Sequence, residues 1–158
     1  MKNLVKAFPM LSILLLIVSC GSDDGGSSGP TINFEVIGIW DLVEVNISAP
    51  QDIDLDGTPS SNLIEEVDCL TGTLLIDADF SWSFEQSGLN ITPITNGDFF
   101  AQCSGTISST GTWLADENEV RFQGGGELQS LSIVGETLVS NLDEDLPGVR
   151  SFIYARRQ

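Results

Sequence analysis

The chain has 158 residues, the size of one domain, with six Lys+Arg against 23 Asp+Glu, no His and a formal charge of −17. That charge repels phosphate backbones and excludes nucleic acid as a partner. The absence of His excludes every Ser–His, Cys–His and His-ligated metal mechanism. An apolar content of 41% supplies a core that a disordered acidic tail would lack.

Lys2 and Lys6 precede an apolar stretch over residues 11–18, too short to span a bilayer, and Ser19-Cys20 follow. Residues 1–19 thus have the architecture of a signal peptide. The run Ile17-Val18-Ser19-Cys20 resembles the lipobox of bacterial lipoproteins. The resemblance implies cleavage before Cys20, a diacylglycerol on its thiol and an acylated N-terminus, and hence a membrane partner through the lipid anchor. Several acyl chains, at ~0.8 kcal/mol per buried methylene, hold a protein on a membrane essentially permanently. Loss of residues 1–19 removes both lysines and no acid, leaving four Arg against 23 acids, a formal −19.

Residues 20–33 read as the acylated Cys and a Gly/Ser/Asp tether with no apolar side chains between Gly21 and Pro30. Ser22-Asp23-Asp24 resembles export tags of surface lipoproteins in Gram-negative bacteria. It implies an outer-membrane protein facing outward, with a periplasm-facing protein as the alternative. Once Cys20 is acylated, Cys69 and Cys103 remain, an even pair in an oxidising compartment, and are expected to form a disulfide.

Residues 34–158 read as one all-β domain. Ile37, Ile39, Val43, Val45 and Ile47 share one parity, as do Phe80, Trp82 and Phe84, and Phe152 and Tyr154. Strands are expected over residues 36–47, 72–77, 80–87, 101–109, 111–115, 119–123, 128–134, 137–142 and 149–156. Hairpin turns are expected at 77–79, 96–97, 115–118, 124–126 and 135–136. A short helix over 62–67, capped by Ser60 or Ser61, sits in the long connection 48–71. Sequential strands joined by hairpins predict an antiparallel up-and-down meander closing into a barrel of about eight or nine strands, with a β-sandwich as the competing arrangement.

Gly38-Ile39-Trp40 at the start of the first strand resembles the Gly-x-Trp signature of lipocalin-like barrels. With Gly111-Thr-Trp113 and Cys69, it makes the domain similar to small lipocalin-like lipoproteins of Gram-negative bacteria. The resemblance implies that Trp40 plugs the barrel base under an Arg of the last strand. Among Arg150, Arg156 and Arg157, Arg156 shares parity with Phe152 and Tyr154. Phe80, Trp82 and Phe84 would line any interior cavity, or fill the barrel instead.

Asp52, Asp54, Asp56 and Gly57, with the Thr58 carbonyl, match the first half of an EF-hand-type calcium loop. Position 12 is Leu63 rather than Glu, and Glu65 and Glu66 follow two and three residues late. A calcium site and a solvated Asp/Gly turn both remain open at this point. No P-loop, nucleophile elbow or catalytic constellation is present, which reads as non-enzymatic. The functional expectation is a lipoprotein binding a small apolar or amphiphilic molecule. The alternative is an accessory module with a filled barrel, docking an envelope or uptake protein.

Overall fold

The computed structural model describes residues 32–126, 128–142 and 148–158. The expected signal peptide, Cys20 and most of the tether lie outside the described residues. The elements are β1 (Gly38–Gln51), β2 (Ser60–Asn62), α1 (Leu63–Glu66), β3 (Gly72–Ile76), β4 (Ser81–Pro93), β5 (Phe99–Ala115), β6 (Glu119–Gly125), β7 (Ser130–Val134), β8 (Thr137–Asn141) and β9 (Val149–Arg156). A single 3-10 turn, Phe34–Val36, precedes them.

Eight strands pair antiparallel in the order β1-β3-β4-β5-β6-β7-β8-β9, and β9 returns to pair with β1. The result is a closed barrel rather than a sandwich, with no free edge around its body. The small extra strand β2 pairs with the far half of β1, beyond the segment bonded to β3.

Closure depends on an irregularity in β1. Trp40 and Leu42 face inward, and so do Val45 and Ile47, although the two pairs differ in parity. The β1–β9 register slips between Leu42 and Glu44, where Val43 is the extra residue. Such a bulge turns the following side chains to the opposite face. The single-parity reading of this strand therefore fails for Ile39 and Val43, which are exposed.

Residues 99–115, read from sequence as two strands, form one strand of 17 residues. It bends at a register shift opposite Ser87–Leu89, where Gly105 adopts φ +71°, a conformation glycine takes without cost. The helix is shorter than expected, and its cap is Asn62 rather than Ser60 or Ser61. Asn62 Oδ1 accepts from Ile64 N at 3.2 Å and from Val45 N at 2.9 Å, so it fastens α1 to β1 as well as capping it.

Trp40, Leu74, Ile76, Trp82, Trp113, Val120, Phe122, Leu131 and Leu138 are all buried. Each indole N–H finds a carbonyl, with Trp40 donating to Val36, Trp82 to Gln123 and Trp113 to Asp77. Leu63, Val67 and Leu70 extend this core beneath the 52–71 excursion.

Cys69 and Cys103 are bonded, their Cα atoms 6.2 Å apart and 34 positions apart in sequence. The bond ties the segment after α1 to β5. In the chain-entropy model a loop of that length stabilises the fold by ~3–4 kcal/mol. The Cys69→Ala/Cys103→Ala double variant is expected to lose about that much in urea unfolding. A difference below ~1 kcal/mol would show that the excursion is held by its packing alone.

Candidate functional site

The two ends of the barrel are built differently. At one end β1 begins, β9 finishes and the turns β3–β4, β5–β6 and β7–β8 lie. The Arg156 guanidinium carbon sits 4.5 Å from the centroid of the Trp40 ring, a cation–π distance. The same guanidinium donates to the carbonyls of Ile37 and Glu35. Gly38, at φ +150°, makes this approach feasible, because a Cβ there would stand 2.5 Å from Arg156 Nη1. The first glycine of Gly38-Ile39-Trp40 thus makes room for the arginine that covers the tryptophan.

Phe34, Phe80 and Trp113 complete this base. Phe80 lies 5.9 Å from Phe34 and 5.5 Å from Trp113, centroid to centroid. Nearby, Arg157 donates to both carboxylate oxygens of Asp41, at 2.7 and 2.5 Å. That hydrogen bonding holds the Asp41 carboxyl below its usual pKa. Its stabilisation is present at neutral pH and is lost as pH falls through the lowered value. Both partners are solvent-accessible, so water screens the pair and its contribution is small.

At the opposite end the interior opens into a cavity of about 560 Å³, within the ~300–1,000 Å³ of small-molecule sites. Its walls include Phe84 on β4, Ile107 on β5, Phe152 on β9, and Leu89, Leu128 and Leu142 nearer the rim, with Ser87, Ser104, Gln129 and Ser140 among them. Gln86 and Tyr154 form its polar floor, joined across the barrel by a hydrogen bond of 2.6 Å from the Tyr154 hydroxyl to Gln86 Oε1. Burial pushes the Tyr154 phenol well above its ordinary pKa, so it remains a neutral donor. Phe84 packs edge-on against Tyr154 at 6.3 Å. A larger groove of about 710 Å³ runs over Thr73, Leu75, Ser83, Glu85, Ser108 and Thr110. Most of its lining belongs to the outward face of β3–β5, and it is more open to water than the mouth.

Of the three aromatic residues expected to line a cavity, only Phe84 does so. Phe80 has φ +67° in the β3–β4 turn, outside the alternation, and belongs to the base. Trp82 points inward but lies below the floor, 5.0 Å from Phe122 and 3% exposed. Gln86 and Tyr154 were not singled out from the sequence as a pair, since 68 residues separate them and only closure brings them together.

The acidic loop after β1 also differs from its sequence reading. Oxygens of Asp52, Asp54 and Glu66 all lie within 4.8 Å of one another, whereas Asp56 is outside this group. Asp56 Oδ1 instead accepts from Thr58 N at 2.7 Å, an ordinary Asx turn. Glu66 is 5% exposed and accepts from Ile53 N and Ser60 N, which folds the loop back over α1. Asp52 Oδ1 is buried without a hydrogen-bond partner, as is Ser109 Oγ elsewhere.

Trp82→Ala is expected to behave as a core deletion costing ~3–5 kcal/mol, read by chemical unfolding. A loss under ~1 kcal/mol would contradict the filled lower barrel. Comparison with protein-family models, with curated proteins and with solved structures finds no match to this chain.

Proposed function

We propose that this chain is a non-enzymatic, membrane-anchored, lipocalin-like lipoprotein that holds a small apolar or amphiphilic molecule in the barrel mouth. The observation that carries the reading is the cavity itself. Its walls combine Phe84, Ile107, Phe152 and three leucines with Ser87, Ser104, Gln129 and Ser140, it has one hydrogen-bonded polar pair at its floor, and it sits in the interior of a closed barrel. An eight-stranded barrel has room to be filled by its own side chains or to hold one small ligand. Here the lower half is filled and the upper half is not. A docking module with a filled barrel, the alternative, would have no use for this space.

The test is binding of the neutral probe N-phenyl-1-naphthylamine, followed by fluorescence, with mass spectrometry of molecules that co-purify with the membrane-extracted protein. Ser140→Phe and Ile107→Trp, from different walls, should each reduce probe affinity by about tenfold while melting stays cooperative. Unchanged affinity in both variants would place the probe elsewhere and remove the support for the cavity.

The anchor belongs to the same reading, supported by the lipobox-like Ile17-Val18-Ser19-Cys20 and by the tether that follows. Cys20→Ala is expected to abolish palmitate labelling and membrane retention. Continued labelling of that variant would sink the assignment. An outward-facing outer-membrane position rests on Ser22-Asp23-Asp24 alone, with a periplasm-facing protein as its alternative.

Asp52, Asp54 and Glu66 form a weak calcium site in this reading. Hard carboxylate oxygens suit that ion, its charge would relieve repulsion among three acids, and Asp52 Oδ1 lacks any other partner. Affinity should lie near the ~10⁻⁴–10⁻³ M of extracellular modules. Millimolar calcium should raise the Tm more than magnesium does, and Asp54→Asn should remove the difference. Equal responses to both ions, unaltered in the variant, would leave only diffuse attraction to an acidic surface.

A further inference from the structure

We infer that the mouth cavity selects uncharged amphiphiles, whose head oxygen accepts a hydrogen bond from Gln86, over ionised amphiphiles of the same chain. This rests on the ligand-binding reading above and narrows it to a chemical class.

The floor determines the preference. Tyr154 spends its hydroxyl proton on Gln86 Oε1, which leaves the Gln86 amide nitrogen as the donor there. A hydroxyl, ester or amide oxygen matches that donor. A carboxylate would have to shed its water against neutral groups, because the described residues that line the cavity include no charged side chain. Burying a charge without a counter-ion costs far more than burying a hydrogen-bonded neutral group.

Most of the cations of the chain lie away from the cavity. After Lys6 the chain has only four cationic side chains. Arg121 pairs with Asp116 and Glu119, Arg157 pairs with Asp41, and Arg156 lies on Trp40, all at the base. Arg150 is exposed at the mouth end of β9, where its carbonyl accepts from Leu142 N, and it is not among the described lining residues. The net charge of −17 adds repulsion at long range. A cationic head is drawn by that field but meets no carboxylate among the described lining residues, so at the floor it too loses its hydration without compensation.

The experiment displaces N-phenyl-1-naphthylamine from the full chain at pH 7.5, using decanol, methyl decanoate, decanoate and decylammonium below their aggregation concentrations. The alcohol and the ester should each bind at least about tenfold tighter than either ion. The gap should persist at 0.5 M salt (about a 4 Å screening length), because desolvation at the floor is local. Gln86→Leu should weaken the alcohol and ester roughly fivefold relative to the probe. Gln86→Met serves the same purpose if the leucine variant does not melt cooperatively. Decanoate or decylammonium binding as tightly as decanol would overturn the selectivity while leaving the cavity reading intact. So would an unchanged alcohol affinity in the Gln86 variants. Absence of probe binding altogether would overturn the cavity reading itself.

Discussion

Pairing of β1 with β9 is the constraint on which the other features depend. Until those strands meet, the sheet has two open edges and no interior. Once they meet, residues from strands that are not neighbours face one another across the lumen. The Gln86–Tyr154 bond and the Phe84–Tyr154 contact both cross between β4 and β9 in this way. The bulge at Val43 is part of the same event. It allows β1 to present Trp40 inward at the base and Val45 and Ile47 inward farther along, while remaining bonded to β9 throughout. Two-sided pairing and this local change of phase let a strand of 14 residues follow the curvature of a small barrel.

Side-chain volume then divides the interior. The three tryptophans occupy the base and the lower barrel, and their N–H groups are all satisfied by backbone carbonyls, so they can be buried without leaving an unpaired donor. Toward the mouth, inward positions pass to Gln86, Gly88, Ile107 and Ser140, which leave space. The β4–β5 hairpin bends at Gly105 alongside that space. Ser87, between the inward-facing Gln86 and Gly88, donates its hydroxyl to the Cys69 carbonyl at 2.7 Å. The disulfide and this hydrogen bond together attach the 52–71 excursion to the cavity rim, so the acidic loop and the mouth share a support.

Much of the fold was legible in the sequence because hairpin chemistry is local. Asn96-Gly97 turns the β4–β5 hairpin, Gly135-Glu136 turns β7–β8, and Trp82–Phe84 and Phe152–Tyr154 alternate as half-buried strands do. The β1 phase change was not legible, since a bulge in a strand rich in Ile and Val leaves no mark in composition. Phe80 looked like a strand residue because only its positive φ removes it from the alternation. The acidic cluster was half legible. Asp52 and Asp54 stand out by spacing, but Glu66 joins them only because its carboxylate binds the backbone of Ile53 and Ser60. The polar floor was least legible of all, being a long-range contact between two residue types that are common in any strand.

The direction in which the chain enters the domain has a consequence for traffic through the mouth. Asn33 N bonds the Ala115 carbonyl at 3.0 Å, and Arg157 N bonds the Ile39 carbonyl at 2.8 Å, so both ends of the described domain are fastened at the plugged base. Whatever holds the protein through the residues before Ile32 holds it by the closed end, like a cup by its foot. In the proposed reading, a guest would enter at the end of the domain opposite the one where the anchored segment joins it. Fusions at either end of the domain would likewise leave the opening clear.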